Sequence, residues 1–233
     1  MNSPSWYLDE VEHAGFEHLD TDYVATYDQK AGEDVTLDVS TLRDLGLDPT
    51  KTLVDLGAGT GALALKIAPL CRRVIAVDVS SAMIASLRAK IERARIGNVE
   101  CAHAGFLSYE HHGDPADFVY SRNALHHLPD FWKILALRRI AAMLKPGGIL
   151  RLRDLVYSFD PGEADRVLEA WFAGGRERPE DGWTRAELEV HVRTEYSTFN
   201  WILEAMLERA GFTINDAEYS QSQTYAAYVC ARK

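Results

Sequence analysis

The sequence is short of the features that mark several classes of protein. No apolar run approaches the ~18 residues of a membrane span. The chain opens Met-Asn-Ser-Pro-Ser-Trp-Tyr-Leu-Asp-Glu, with neither a basic nor an apolar stretch, so no secretory signal is expected. Cysteine is scarce. Cys71, Cys101 and Cys230 are odd in number and far apart, which argues against a disulfide framework and for reduced thiols in the cytoplasm. Positive charge is in deficit: 25 Lys and Arg face 35 Asp and Glu, for a net charge of −10, and no basic tract stands out. Partnership with nucleic acid or an anionic membrane is therefore not expected. Internal repeats and low-complexity segments are absent. What remains, 233 residues of which 47% are hydrophobic, is enough for one sizeable core and a covering segment, as a monomer or homodimer.

The stretch Thr52-Leu-Val-Asp-Leu-Gly-Ala-Gly-Thr-Gly-Ala62 organises the rest. Leu53 to Leu56 reads as a buried strand, and Ala62 to Ala68 as a helix. Between them Gly57, Gly59 and Gly61 alternate with Ala58 and Thr60. A strand turning through glycines into a helix brings bare backbone N–H groups close to a negatively charged ligand. The spacing also admits a dinucleotide loop, because Gly57, Gly59 and Ala62 fit G-x-G-x-x-A. A second apolar strand, Arg73 to Asp78, ends in an acid placed to accept hydrogen bonds from ribose hydroxyls.

Four features then stand in order across roughly residues 52 to 155: Asp55 within the first strand beside G-x-G-x-G, Asp78 ending the second, Asn123-Ala-Leu-His-His-Leu-Pro129 after the fourth, and Lys145-Pro-Gly-Gly148 before the fifth. Together they resemble class I S-adenosylmethionine-dependent methyltransferases. The resemblance implies an α/β fold, a doubly wound, mostly parallel seven-stranded sheet. It implies an N-terminal helical cap over 1–48, a cofactor-binding core over 49–156, a helical lid over 157–211 and closing strands over 212–233. The expected cofactor is S-adenosylmethionine. Its carboxylate would meet the Gly57–Gly61 backbone, its ammonium Asp55, its ribose Asp78, and its adenine Val79, Met83, Gly105 and Phe106. Asn123 would follow the fourth strand at the same site, and Tyr27 or Tyr23 could face the sulfonium. One departure stands out: the family commonly has an acid after strand 3, where this chain has Ala104-Gly105-Phe106. Backbone groups, Phe106 or Ser108 would then hold the adenine.

The remaining elements follow from periodicity. Glu33 to Leu45 reads as a helix with Val35, Leu37, Leu42 and Leu45 apolar. Ser80 or Ser81 caps a helix whose face is Ile84, Leu87, Ile91 and Ala94. Strands are expected at 98–104, 117–121 and 149–155. A long helix ends at Pro146-Gly147-Gly148. An amphipathic helix through Phe199, Leu203 and Leu207 closes at Gly211, and two short strands end the chain.

Methyl transfer from a sulfonium needs positioning more than acid–base help, with a base required only for a protonated acceptor. His126, His127 and Asp154 are the candidates for that base, although each histidine also suits a packing role. Arg151 and Arg153 lie in a strand expected to be buried on both faces, where arginines need a carboxylate or an anion. Arg122, Arg153 and Tyr157 could therefore hold an anionic group on a small-molecule acceptor. Ion pairing with Asp154, Glu195 or another lid acid would serve the arginines equally well. His103, His111 and His112 lack the spacing of a metal set, so no metal site is expected. A sensor that binds without turnover, a non-methylating S-adenosylmethionine enzyme and a nicotinamide oxidoreductase remain as alternatives.

Overall fold

The structure is a computed structural model that describes residues 4–15, 24, 27 and 34–233. Its centre is β1 (Thr52–Leu56), buried at all five positions because helices cover both faces of the sheet. β2 (Arg73–Asp78) and β3 (Val99–His103) add on one side, β4 (Ala116–Arg122) and β5 (Leu144–Tyr157) on the other. After the two-residue β6 (Thr198–Phe199), which pairs with β5, come β7 (Phe212–Tyr219) and β8 (Tyr225–Arg232). The order is β3-β2-β1-β4-β5-β8-β7, parallel except for β8, which runs antiparallel to both β5 and β7. The fold class read from the sequence is thus observed, with β6 as an extra short strand. The chain reverses its direction of travel across the sheet between β1 and β4. Open parallel sheets bind ligands beyond the strand ends at such a point.

Each crossover helix shows why it forms. α3 (Ala62–Ile67) starts at Gly61, whose φ of 90° suits only glycine well. α4 (Ser81–Ala94) is capped by Ser80, whose hydroxyl accepts from Met83 N, and buries Met83, Ile84 and Leu87. α5 (Asp130–Met143) ends sooner than Pro146 requires. Leu144 is already extended, and β5 runs through Pro146-Gly147-Gly148 with a register shift against β4. α8 (Asn200–Ala210) stops at Gly211, φ 102°. Between β5 and β6 stand α6 (Ala164–Ala173) and α7 (Arg185–Thr194), the latter opened by a Thr184–Glu187 capping box. Gly174 caps α6 at its C-terminal end.

At the N-terminus, α1 (Glu10–His13) reaches the sheet's cofactor side through Glu10, and α2 (Thr36–Asp44) meets β4 and β5 through Asp38. Trp6 stacks on Trp132 of α5 at 5.9 Å between ring centroids. The inward face of α2 differs from the one expected: Leu37 is 58% exposed, while Asp38 is fully buried beside Leu42. Tyr23 lies outside the described residues. Among the described residues no helix is long and apolar enough to cross a membrane.

Candidate active site

A cavity opens at the carboxyl ends of β1, β2 and β4. Its floor is the glycine loop. The amides of Gly57 and Ala58 both donate to Val77 O, which ties the loop to β2. Asp78 ties it again, with one carboxylate oxygen accepting from Gly59 N at 2.8 Å and the other from Ser80 N at 2.8 Å. The three glycines have different reasons to be glycine. All have positive φ, at 74°, 54° and 90° for Gly57, Gly59 and Gly61. A Cβ on Gly57 would collide with Ala124 and one on Gly61 with Leu87, whereas one on Gly59 would meet nothing within 4 Å. Gly59 therefore faces open cavity. We expect Gly61→Ala to cost about 1–3 kcal/mol of stability through overpacking. Gly59→Ala should cost roughly 1 kcal/mol, for the left-handed backbone alone, and should lower cofactor affinity. Denaturant melts and calorimetry on the two variants check this contrast.

Of the residues picked out from the sequence, the cavity brings together Tyr27, Gly57, Ala58, Gly59, Asp78, Val79, Met83, Gly105, Phe106, Arg122, Asn123 and His127. Asn123 holds a left-handed φ of 49° at the end of β4, a conformation Asn tolerates, while its amide donates to Arg153 O. Asp55, Thr60, Gly61, His126, Arg153, Asp154 and Tyr157 stand outside the cavity lining. Tyr157 packs instead with Phe159 and Phe199, and its hydroxyl is pushed up to about 12, chiefly by burial.

The arginines find an unexpected partner. Asp38 of α2, not a lid acid, receives Arg151 Nε at 3.2 Å, Arg153 NH1 at 2.7 Å and Tyr120 Oη at 2.9 Å, with Arg122 NH1 at 3.9 Å. Burial and the nearby Asp38 and Asp55 charges push the Tyr120 hydroxyl far above its ordinary range, so it stays a donor. Arg151 is buried to 1% exposure, whereas Arg122 extends to the cavity wall.

The acids expected to neutralise the arginines are occupied elsewhere. His126 Nδ1 lies 2.5 Å from Asp154 Oδ1 and its Nε2 lies 3.0 Å from Glu195 Oε2. Glu195 also meets His191 Nδ1 at 2.5 Å. Burial alone would lower the affinity of His126 for its proton. The two carboxylates outweigh burial and raise its pKa to about 9. Burial likewise opposes the charge on Glu195, but His126 and His191 hold its carboxyl well below the usual range. Both nitrogens of His126 thus face carboxylates, which favour its protonated form. His127, its ring tilted and centred 4.4 Å from that of His126, is the ring that reaches the cavity. His126, His127 and Glu195 also bring one donor atom each within 4.8 Å of one another, an arrangement that spacing along the chain could not reveal. A proton on His126 and a cation would compete for the same nitrogen.

The His126 cluster carries a pH dependence. A folded pKa of about 9 exceeds the unfolded value of about 6.5. The stabilisation is therefore complete below pH ~6.5 and lost as pH rises through the folded value. We expect unfolding free energy to fall across that window, by at most about 1.4 kcal/mol per pH unit. His126→Gln should flatten the slope. Urea melts between pH 6 and 9.5 read both. A slope unchanged in the variant rules the assignment out.

Glu10 is the residue that sequence reasoning missed altogether. It reaches into the cavity wall from α1, where no pattern marked it. The carboxylate absent after β3 is supplied there by a different part of the chain.

Comparison with known proteins agrees with this geometry. A family model described as a methyltransferase domain matches residues 53–148. Phosphoethanolamine N-methyltransferase 2 of Caenorhabditis elegans is 27% identical over 183 residues, which are 76% of this chain and 41% of that protein. The chain thus spans less than half the length of that relative. Among solved structures, magnesium protoporphyrin IX methyltransferase from Synechocystis with bound S-adenosylmethionine matches 99% of this chain and 100% of its own, with a TM-score of 0.66 and 15% identity. A (4+2)-cyclase matches 82% of this chain and 80% of its own, with a TM-score of 0.62 and 19% identity. The fold is that of the methyltransferase structure solved with bound S-adenosylmethionine. Residues 53–148 match a methyltransferase domain, and this match supports a class I S-adenosylmethionine-dependent methyltransferase with S-adenosylmethionine as cofactor.

The cavity residues fit that cofactor. Gly59 leaves room where a side chain would intrude, Asp78 offers a carboxylate for hydroxyl donors, and Val79, Met83 and Phe106 give apolar flanks for a flat ring.

Proposed function

We propose that the protein transfers a methyl group to a small-molecule acceptor in the cytoplasm. The observation that carries this reading is the cavity itself. The glycine loop and Asp78 line it together with Arg122 and His127, groups that hold an anion and accept a proton. S-adenosylmethionine, when bound, supplies a methyl group activated by a sulfonium leaving group. The protein's own work is to position, to exclude water and to handle one proton. Asp78 and the glycine loop would bind the cofactor, and Tyr27 would line its reactive side. The 157–211 segment would close over the acceptor as a lid. His127 would take a proton from an acceptor that arrives protonated, since His126 keeps its own. Arg122, which donates to Asp34 O at 3.1 Å and lies 3.9 Å from Asp38, would hold an anionic group of the acceptor. Arg153, bound at 2.7 Å to Asp38, would support that arrangement from behind.

The relative from Caenorhabditis elegans is named for a phosphorylated amine, a substrate of the class Arg122 would favour. A metabolite-library screen with labelled cofactor tests the reading. Transfer to an acidic acceptor, with KM raised in Arg122→Met and cofactor affinity intact, supports it. Transfer confined to neutral acceptors removes the anion site. A second reading has one observation behind it, the likeness to a cyclase fold. Product analysis separates the two, because methylation consumes cofactor and a cyclisation of the substrate leaves it intact.

A further inference from the structure

The cavity wall beyond β3 is Ala104, Gly105 and Phe106, with Leu107 and Ser108 just behind. Into it, from 97 residues earlier in the chain, comes the carboxylate of Glu10. Its oxygens accept from Leu107 N at 3.0 and 3.1 Å, from Ser108 N at 3.1 Å and from Ser108 Oγ at 2.9 Å. Glu10 is 9% exposed, so this is a buried acid on a ligand cavity and not a surface side chain. Burial raises its carboxyl pKa despite these donors.

Gly105 shows what the carboxylate displaces. Its φ is not positive, so the backbone would accept any residue. A Cβ at 105 would nevertheless fall 2.5 Å from Glu10 Cδ and 2.6 Å from Oε2. The carboxylate therefore occupies the space of a side chain at position 105. Glycine there and glutamate at 10 are one arrangement, in which the acid is delivered by α1 and not by the strand end. Val79, Met83 and Phe106 give the same end of the cavity apolar walls suited to a flat base. The Phe106 backbone is a further donor to this carboxylate, which lines the cavity beside these apolar walls.

We propose that Glu10 accepts a hydrogen bond from the exocyclic amino group of the cofactor's adenine, so that docking of the N-terminal helix selects the base. The inference rests on the cofactor reading given above and adds to it which residue reads the base. An amino group donates to a carboxylate, whereas the 6-oxo group of a hypoxanthine base presents a second acceptor and is repelled. Seating adenine and seating α1 then support each other, because each gives the other a buried partner.

The test uses calorimetry with S-adenosylhomocysteine and its 6-oxo analogue, S-inosylhomocysteine, on the full chain. The native protein should prefer the adenine compound by at least about tenfold. Glu10→Ala should weaken adenine binding by roughly 10–100-fold and abolish the preference. Glu10→Ala with Gly105→Asp should restore both, by returning a carboxylate from the other direction. Glu10→Gln, nearly isosteric, should shift the preference toward the 6-oxo base and covers the case in which the alanine variant fails to fold. Tighter or unchanged adenine binding in Glu10→Ala would show that the carboxylate only fills the site, and overturns the proposal. So does an equal loss for both bases with no rescue by Gly105→Asp. Failure of the native protein to bind either compound would overturn the cofactor reading itself, a result distinct from these.

Discussion

Asp38→Asn should destabilise the protein by about 3–5 kcal/mol, the range for removing one partner of a buried ion pair. For a chain of this size that is a fall in Tm of roughly 6–20 °C. Asp38 is fully buried and is the shared acceptor for Arg151, Arg153 and Tyr120, with Arg122 close by. Asparagine keeps the volume and one carbonyl acceptor but removes the charge, leaving guanidinium groups in or near the core with nothing to balance them. Arg151, 1% exposed and central in β5, has no route to solvent. The cost should therefore appear as lost stability first. Reoriented Arg122 at the cavity wall should then weaken acceptor binding. Arg151→Met in the same background should recover part of the loss, because an apolar chain of similar length removes the orphaned charge. Chemical denaturation of the single and double variants decides it. A single variant within about 1 kcal/mol of native stability, the range of an exposed pair, would show that the arginines are satisfied without Asp38.

Asp38 also shows how far the sequence could be read. The strand–loop–helix of 52–68, the acid at 78 and the order of strands were legible because each is local: an apolar run, a glycine spacing, a periodic face. Arginines at 151 and 153 in a buried strand announced that an acid was needed. They did not say which, because the partner lies more than a hundred residues away. A sign was present in α2. Val35, residue 38 and Leu42 fall at steps of three and four, so an acid at 38 sits on the apolar stripe. Choosing Leu37 for that stripe hid it.

The His126 network and Glu10 were harder. His126, Asp154, His191 and Glu195 come from three separate segments, and only tertiary contact brings them together. A histidine that looks like a base in sequence has carboxylates beside both nitrogens in the fold, and these favour its charged form. Glu10 has no sequence mark beyond the missing acid after β3, a gap whose filling depends on how the N-terminal segment folds back. In each case local pattern located the element, while the charge partner was set by tertiary contact.

Asp78→Ala should weaken S-adenosylmethionine binding by ~2–4 kcal/mol, or roughly 30- to 700-fold in Kd. Two routes lead to that loss. Asp78 anchors the glycine loop through Gly59 N and Ser80 N, both at 2.8 Å, and its cavity position suits the ribose hydroxyls. The routes separate with a ligand that lacks those hydroxyls. If ribose contact dominates, native protein should bind the 2′,3′-dideoxy form of S-adenosylhomocysteine weakly, and Asp78→Ala should cost that ligand little more. If loop anchoring dominates, the variant should lose both ligands in equal measure, because a displaced Gly59 affects the methionine end whatever the sugar carries. The anchoring bonds are already made without ligand, so a carboxylate with about four acceptor positions can serve both. We expect a ribose share of at least half the total in this cycle. Calorimetry on folded Asp78→Ala with native affinity for S-adenosylhomocysteine would remove Asp78 from the cofactor site altogether.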